Sequence, residues 1–330
     1  MADPKPRVVH IGILAFDGCM TSAVTGMLDA LQIANASSTM PQLGSAVRFD
    51  AQLLGTRATV TGSAGFQFSV APLDHAAAND ALIVPPLLSD IDGALAAHGD
   101  LVTWIAQHAE RGGVIASVCA GAFFLARAGL LDGRTATMNP IFAPALLRAH
   151  PSTRLQLERR VVCDGRVLTA GSTSAFVDLA LHLIDRFAGH AVAVMTAKLL
   201  SVDKNQRSQL PYFLPFADKT HGDQVVIELQ TWLEENFSAQ LSIEQLARRA
   251  AVSVRSLNRR FVTATGVSPI AYVNRLRVEA AKRRLETSSL NVQEITQQVG
   301  YRDARSFSRL FREGTGLSPS EYRMRFGSFV

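Results

Sequence analysis

A chain of 330 residues is long enough for two hydrophobic cores, and its formal charge of +5 leaves room for an anionic partner. Its three cysteines (Cys19, Cys119, Cys163) form no CxxC pair and no disulfide framework, which excludes a disulfide-stapled secreted class and points to a reducing cytosol. The opening MADPKPRVVHIGILAF lacks a long apolar stretch, and no run approaches the roughly 18 apolar residues of a membrane span, so a soluble cytoplasmic chain without membrane partners is expected.

In the first two hundred residues, short apolar runs alternate with helical stretches. Strands are expected at residues 8–16, 47–54, 81–84, 114–118 and 167–170, and helices at 23–34, 93–108, 120–128, 142–150 and 174–187. This alternation predicts a flavodoxin-like α/β domain over residues 1–200, a mostly parallel sheet with helices on both faces. Ligands in such sheets sit outside the carboxyl ends of the strands.

One strand end carries chemistry. GGVIASVCAGAFFLARAGLLDG puts Cys119 directly after the apolar run Val114–Val118, among Ser117, Ala120, Gly121 and Ala122. Small neighbours suit a sharp strand-to-helix elbow, which aims helix amides at the sulfur and lowers its pKa. By itself, a cysteine in an Ala/Gly-rich segment is also ordinary packing.

The stretches GILAFDG (12–18), ASVCAGAFFLARAGLLDGRTAT (116–137) and DGRVLTAGSTSAFVDLALHLI (164–184) make this half resemble the PfpI-like branch of the class I glutamine amidotransferase-like superfamily. Enzymes of that kind pair the elbow cysteine with a histidine just after the strand following GR-x-AT, where this chain has Asn139. An amide cannot take the thiol proton, so the general base is missing. The run CMTSAVTG (19–26) supplies no acid; Asp17 precedes it and Asp29 lies too far into the helix. None of the eight histidines falls at the expected place or shows metal-ligand spacing. The expectation is therefore no catalytic residue, no metal and no cofactor, but a small-molecule pocket. Cys119 and Ala120 form its floor, and Asn139, Pro85, Ser172 and Thr173 its rim, with helix-start amides favouring a carboxylate or polar head group. A thiol hydrolase or amidase and a Cys119 redox sensor are the alternatives.

Residues 201–222 are polar, hold two prolines and interrupt helical periodicity, as a linker would. Residues 223–237 read as an amphipathic helix opening a second, all-α domain over 223–330, with Val226, Leu229, Trp232 and Leu233 on one side. The stretch 242–323 then says nearly the same thing twice. Leu257, Phe261, Gly266, Ser268-Pro269 and Tyr272 recur fifty positions later as Phe307, Phe311, Gly316, Ser318-Pro319 and Tyr322. Each copy reads as helix–turn–helix. Ser242 with Gln245, and Asn291 with Glu294, make capping boxes; Ser253 and Asp303 cap second helices; Gly300 marks a bend. Outside the apolar stripes lie Arg255, Ser256, Asn258 and Arg259 in one copy and Arg305, Ser306, Ser308 and Arg309 in the other, residue types that read base edges.

Charge supports this reading over an ordinary solvated face. Residues 237–330 hold 16 Lys/Arg against 7 Asp/Glu, a balance of +9, which leaves −4 for the rest of the chain. The connector, about 269–286, predicts a basic helix (Arg275, Arg277, Lys282, Arg283, Arg284) of roughly 26 Å that holds two reading heads about one DNA turn apart. Arg277, Ala281 and Leu285 face inward, so Arg277 is expected to brace the two copies.

The runs GVSPIAYVNRLRVEAAKRRL and VGYRDARSFSRLFREGTGLSPSEYR make residues 225–326 resemble the DNA-binding domain of AraC-type transcriptional regulators, with one departure at Thr296-Gln297, where that family has a small packed residue. The order of the two halves is similar to that of the GlxA-like group. The resemblance implies a transcriptional regulator, with activation favoured. It further implies promoter or operator double-stranded DNA, RNA polymerase and an amino-acid-like or quaternary-amine effector as partners, and a homodimer joined through the N-terminal domain.

Overall fold

The computed structural model describes residues 6–40, 43, 46–76, 79–87, 90–203, 208–212, 219 and 221–327. The chain forms two compact units, residues 1–209 and 210–330.

The first unit contains strands β1 (Arg7–Leu14), β2 (Val47–Gly55), β3 (Thr59–Thr61), β4 (Gln67–Ser69), β5 (Ala71–Pro72), β6 (Ala81–Val84), β7 (Val114–Val118), β8 (Thr135–Ala136), β9 (Arg154–Leu155), β10 (Val161–Asp164) and β11 (Val167–Ala170). Seven of them make one sheet in the order β10-β11-β7-β6-β1-β2-β5, parallel except for the β10–β11 pair. The central strands β6, β7 and β11 are buried on both faces, which is why their sequences are unbroken runs of small and apolar residues. Helices α1 (Thr21–Ser38), α6 (Phe176–Ala188) and α7 (His190–Leu199) pack together as one layer, and α2 (Ile91–Ala97), α3 (Gly99–Glu110) and α4 (Ala122–Arg127) as another; α5 (Ala143–Ala149) follows β8. The chain runs from β1 to β2 on one side and returns through β6 on the other. This reversal of strand order is the switch point at which α/β sheets open a crevice at their carboxyl edge.

Local differences from expectation have local causes. The single helix expected over residues 93–108 is two helices, because His98 leaves the helical region (φ −119, ψ 35) between α2 and α3. The antiparallel edge strand β10 was not anticipated. It folds back around Gly165, whose φ of +64 makes the tight turn.

The second unit consists of α8 (Gln224–Asn236), α9 (Ile243–Arg249), α10 (Val254–Thr265), α11 (Pro269–Thr287), α12 (Val292–Gln298), α13 (Ala304–Thr315) and α14 (Pro319–Phe326). Both expected capping boxes form, at Ser242/Gln245 and Asn291/Glu294, and Ser253 and Asp303 accept the first amides of α10 and α13. The repetition extends to fine detail. Thr265 and Thr315 each donate to the carbonyl four residues earlier (Phe261, Phe311; both 2.7 Å) and accept the N–H two residues later. Gly266 and Gly316 end their helices in the left-handed conformation, at φ +75 and +74. Tyr272 donates to Glu234 of α8, and Tyr322 to Glu286 of α11. So α8 serves the first repeat as α11 serves the second.

Each repeat has its own small core. Val226, Leu229, Leu246, Leu257 and Phe261 build the first, and Val278, Ala281, Ile295, Phe307 and Phe311 the second. The fully buried phenylalanines contribute roughly 1.5–3 kcal/mol each. Thr296 is buried without penalty, because its hydroxyl donates to the Val292 carbonyl at 2.7 Å.

Arg277 ties the repeats together. Its guanidinium donates to the carbonyls of Phe237 (2.8 Å) and Ala239 (2.7 Å) and lies 5.1 Å from the Tyr301 ring centroid. We expect Arg277→Ala to cost about 2–3 kcal/mol, since two carbonyls lose charged donors. Urea titration of the full chain followed by helical circular dichroism checks this, and a loss below about half a kcal/mol would mean solvent replaces the brace.

Candidate nucleic-acid interface and ligand site

On α10, Arg255 and Arg259 are exposed while Ser256 and Asn258 are half-buried; on α13, Arg305 and Arg309 are exposed while Ser306 and Ser308 are half-buried. The Ser256 and Ser306 amides are taken by the caps Ser253 and Asp303, which places both serines in the first turn of their helices. None of the four guanidinium groups forms a hydrogen bond or salt bridge among the described residues. Several other arginines of this unit are occupied. Arg260 grips Asp223 through two bonds (2.9 and 2.6 Å) and holds that carboxyl below the usual range; Arg249 lies 4.2 Å from the Trp232 centroid; Arg284 donates to Gln298. Arg255 and Arg259 on α10, and Arg305 and Arg309 on α13, thus form two equivalent faces of uncommitted cations.

Lys282 does not add to the basic surface of α11. It is buried and paired with Glu279 at 2.9 Å, because its position faces the second core, so it is not available to phosphate.

In the first unit, the chain turns sharply at Cys119. This residue adopts φ +52, a strained conformation for a side-chain-bearing residue, between β7 and a 3-10 turn (Cys119–Gly121) that leads into α4. Gly121 permits the turn. A Cβ there would lie 2.6 Å from the Val84 carbonyl oxygen and 2.8 Å from that of Pro85. The fold therefore brings Cys119, Ala120 and Pro85 together. Thr173 joins them, its hydroxyl donating to the thiol at 3.8 Å, and so does Asn139, whose amide groups face the sulfur. Asn139 Oδ1 also accepts the Ile141 N–H at 3.1 Å. Ser172 flanks Thr173 and is half-buried like Thr173 and Asn139, whereas Pro85, Ala120 and Cys119 are covered.

Burial reverses the expected acidity of the thiol. Cys119 is 1% exposed, and burial pushes its pKa up; the Thr173 hydroxyl and the Ala120 and Asn139 groups offset this only in part. The groups that bear on the sulfur include no carboxylate or imidazole. Asp17 is instead bonded to Arg57 and the Thr61 amide, and Asp29 is exposed. No cluster of metal-ligating side chains occurs among the described residues.

Cys163 is the exposed cysteine, with its sulfur 3.3 Å from His182 Nε2. Native alkylation with iodoacetamide is therefore expected to label Cys163 first, with Cys119 and Cys19 modified only after denaturation. Rapid modification of Cys119 in peptide mass spectra would contradict its burial.

A further participant was not legible in the sequence. Gln209, in the stretch read as a linker, is buried in the first unit. Its Nε2 donates to the carbonyls of Met138 (3.1 Å) and Leu157 (2.6 Å), and its side chain fills the space where Gly171 has no Cβ. It thereby braces both segments that carry Asn139 and Ser172. A glutamine in a polar, proline-containing stretch offers no pattern that would reveal this.

The architecture is thus a doubly wound α/β unit with a cysteine elbow, followed by a doubled helix–turn–helix. The chain belongs to the DJ-1/PfpI family, whose model matches residues 10–186, and residues 246–325 match a helix-turn-helix domain. The chain is 27% identical over 223 residues to the HTH-type transcriptional regulator GbdR of Pseudomonas aeruginosa, covering 67% of this chain and 60% of GbdR. It is 36% identical over 104 residues to the HTH-type transcriptional activator RhaS of Salmonella schwarzengrund, covering 32% of this chain and 37% of RhaS. The crystal structure of an AraC family transcriptional regulator from Pseudomonas putida shares the α/β fold, with a TM-score of 0.51 at 21% identity over 58% of this chain and 99% of that one. No described helix is long and apolar enough to cross a membrane.

Proposed function

We propose that this chain is a transcriptional regulator that reads promoter DNA with α10 and α13 and senses a small polar metabolite in its α/β domain. The observation that carries this reading is the pair of equivalent helix faces with four uncommitted arginines, Arg255, Arg259, Arg305 and Arg309. Arginine bidentate to guanine, asparagine to adenine and serine to either base are the contacts such a surface offers in the major groove. Similarity to GbdR and RhaS supports the same reading.

The elbow, in this view, is a binding floor without chemistry. A buried thiol of raised pKa, with an amide where a base would stand, favours recognition over turnover. Cys119, Ala120 and Pro85 shape the floor, and Asn139, Ser172 and Thr173 present polar groups at the rim. The effector is an amino-acid-like or quaternary-amine compound, and the chain works in the cytoplasm as a homodimer joined through its α/β domains, activating RNA polymerase. A ligand shifts such a protein only through unequal affinity for two states.

A thermal-shift screen of amino acids and betaines, followed by operator binding with the hit, tests the proposal. Cys119→Ala is expected to keep basal DNA affinity while shifting the effector dose–response at least about tenfold to higher concentration. An unchanged dose–response would move the effector site elsewhere. Turnover of a thiol-directed substrate, abolished by Cys119→Ser, would replace the sensor with a hydrolase.

A further inference from the structure

The first unit also holds a cleft of about 420 Å³ on the edge of the sheet opposite Cys119, at the amino ends of β6, β7 and β11. Three arginines line it. Arg111 follows α3, Arg166 enters β11, and Arg186 lies near the end of α6, with Phe187 beside it as an apolar wall. None of the three guanidinium groups forms a hydrogen bond or salt bridge among the described residues. The carboxylate lining the cleft, Asp80, is already engaged, accepting the His10 N–H at 2.9 Å and facing Arg7 at 3.5 Å.

The rim also carries backbone donors, at Gly112 and Gly113, which follow the end of α3 at φ +92 and +85. The N–H groups of Gly112 and Gly113 donate to no partner among the described residues. Gly113 must remain glycine, since a Cβ there would lie 2.8 Å from the Asn79 carbonyl oxygen.

A buried side chain points the same way. His108 lines the cleft at 3% exposure, and its Nδ1 has no hydrogen-bond partner. The Trp104 ring stacks on it at 4.7 Å between centroids and fixes its plane. Burial and the neighbouring Arg111 hold His108 below the usual imidazole pKa, which favours the neutral ring, and its Nδ1-protonated tautomer would donate into the cleft. Asn79 meets the cleft beside Gly113 through its backbone carbonyl, while its unpartnered Nδ2 packs against Gly12, between Leu54 and Leu82, and takes no part in the cleft. A buried polar nitrogen left unanswered, as His108 Nδ1 is, is uncommon in native proteins and is normally met by a partner.

We propose that this cleft binds a small, multiply charged oxyanion, either a phosphate ester or a di- or tricarboxylate, with Arg111, Arg166 and Arg186 as cationic contacts and the Gly112–Gly113 amides and His108 as neutral donors. The cleft is metabolite-sized, within the roughly 300–1,000 Å³ of small-molecule sites. The site is separate from the Cys119 elbow and stands whether or not that elbow senses an effector.

The test is calorimetric titration of the full chain at constant ionic strength with inorganic diphosphate and, separately, citrate. Saturable binding of one anion per chain is expected. Arg111→Ala/Arg166→Ala should weaken it by at least about tenfold. Both residues are exposed, and an unchanged melting temperature without ligand verifies that the fold is kept. Tighter binding of diphosphate identifies a phosphate ester, and tighter binding of citrate a carboxylate. Arg259→Ala/Arg309→Ala should leave either isotherm unchanged. Absence of saturable heat with both anions at millimolar concentration overturns the proposal. So does loss of binding in Arg259→Ala/Arg309→Ala with retention in Arg111→Ala/Arg166→Ala, because the anion would then sit on the DNA-reading face.

Discussion

Gly300→Ala is expected to destabilise the second helix–turn–helix by about 3 kcal/mol or more, enough to abolish its part in DNA binding. Two effects add. The left-handed backbone at φ +89 costs an L-residue about 1–2 kcal/mol. A methyl group would also lie 2.9 Å from Ser238 Cα and closer still to its carbonyl oxygen. These are backbone atoms, so no side chain can rotate away. The Gln240 side chain, which donates to the Gly300 carbonyl at 2.9 Å, would be displaced too. The first repeat supplies the control. Ala251 stands at the equivalent bend, is exposed, and already carries its methyl at φ +52. Ala251→Gly should therefore be neutral or stabilising within about 1 kcal/mol. Urea titrations of both variants compare the two bends directly, and equal, small effects would show that the Ser238 contact relaxes freely.

The second large effect concerns affinity. Arg259→Ala and Arg309→Ala should each weaken binding to a cognate site by about 1–3 kcal/mol, and specificity should relax at a few neighbouring base pairs. Both side chains are exposed and uncommitted, so their removal leaves stability within about half a kcal/mol. Fluorescence anisotropy with cognate and scrambled duplexes separates two roles. A loss confined to the cognate duplex marks base reading; an equal loss on both marks phosphate contact. Affinity should also fall steeply as salt rises, since the +9 balance of residues 237–330 implies several released counterions.

Legibility followed the range of the interactions involved. The helix–turn–helix repeats were readable because their determinants are local. Ser242 and Asn291 meet their capping partners three residues away, and the stripes ending in Phe261 and Phe311 follow helical period. Strands β6, β7 and β11 were readable to the residue, because strands covered on both faces are continuous apolar runs. Elements such as β3, β4 and β10 are exposed or half-buried at alternate positions or more, so their sequences form no continuous apolar run. The Cys119 thiol was misjudged because local amides argue for acidity, while burial, a property of the whole fold, argues more strongly against it. Lys282 counts toward a basic connector in the sequence because charge is visible there and its buried pairing with Glu279 is not. The arginine cleft was invisible for a plainer reason. Arg111, Arg166 and Arg186 lie on separate elements that only the sheet brings together.

Helix α11 belongs to both reading heads at once. Tyr272 and Val273, near its start, complete the first core, while Val278, Ala281 and Leu285 complete the second. Its 19 residues therefore act as a ruler with discrete graduations. Adding or removing one residue would shift the second head by only about 1.5 Å but swing it through roughly 100° about the helix axis. It would also turn either Val278 or Tyr272 out of its core. The separation between the heads cannot drift in small steps, and a binding site whose two halves stray from that phase has to be accommodated by bending or twisting the DNA.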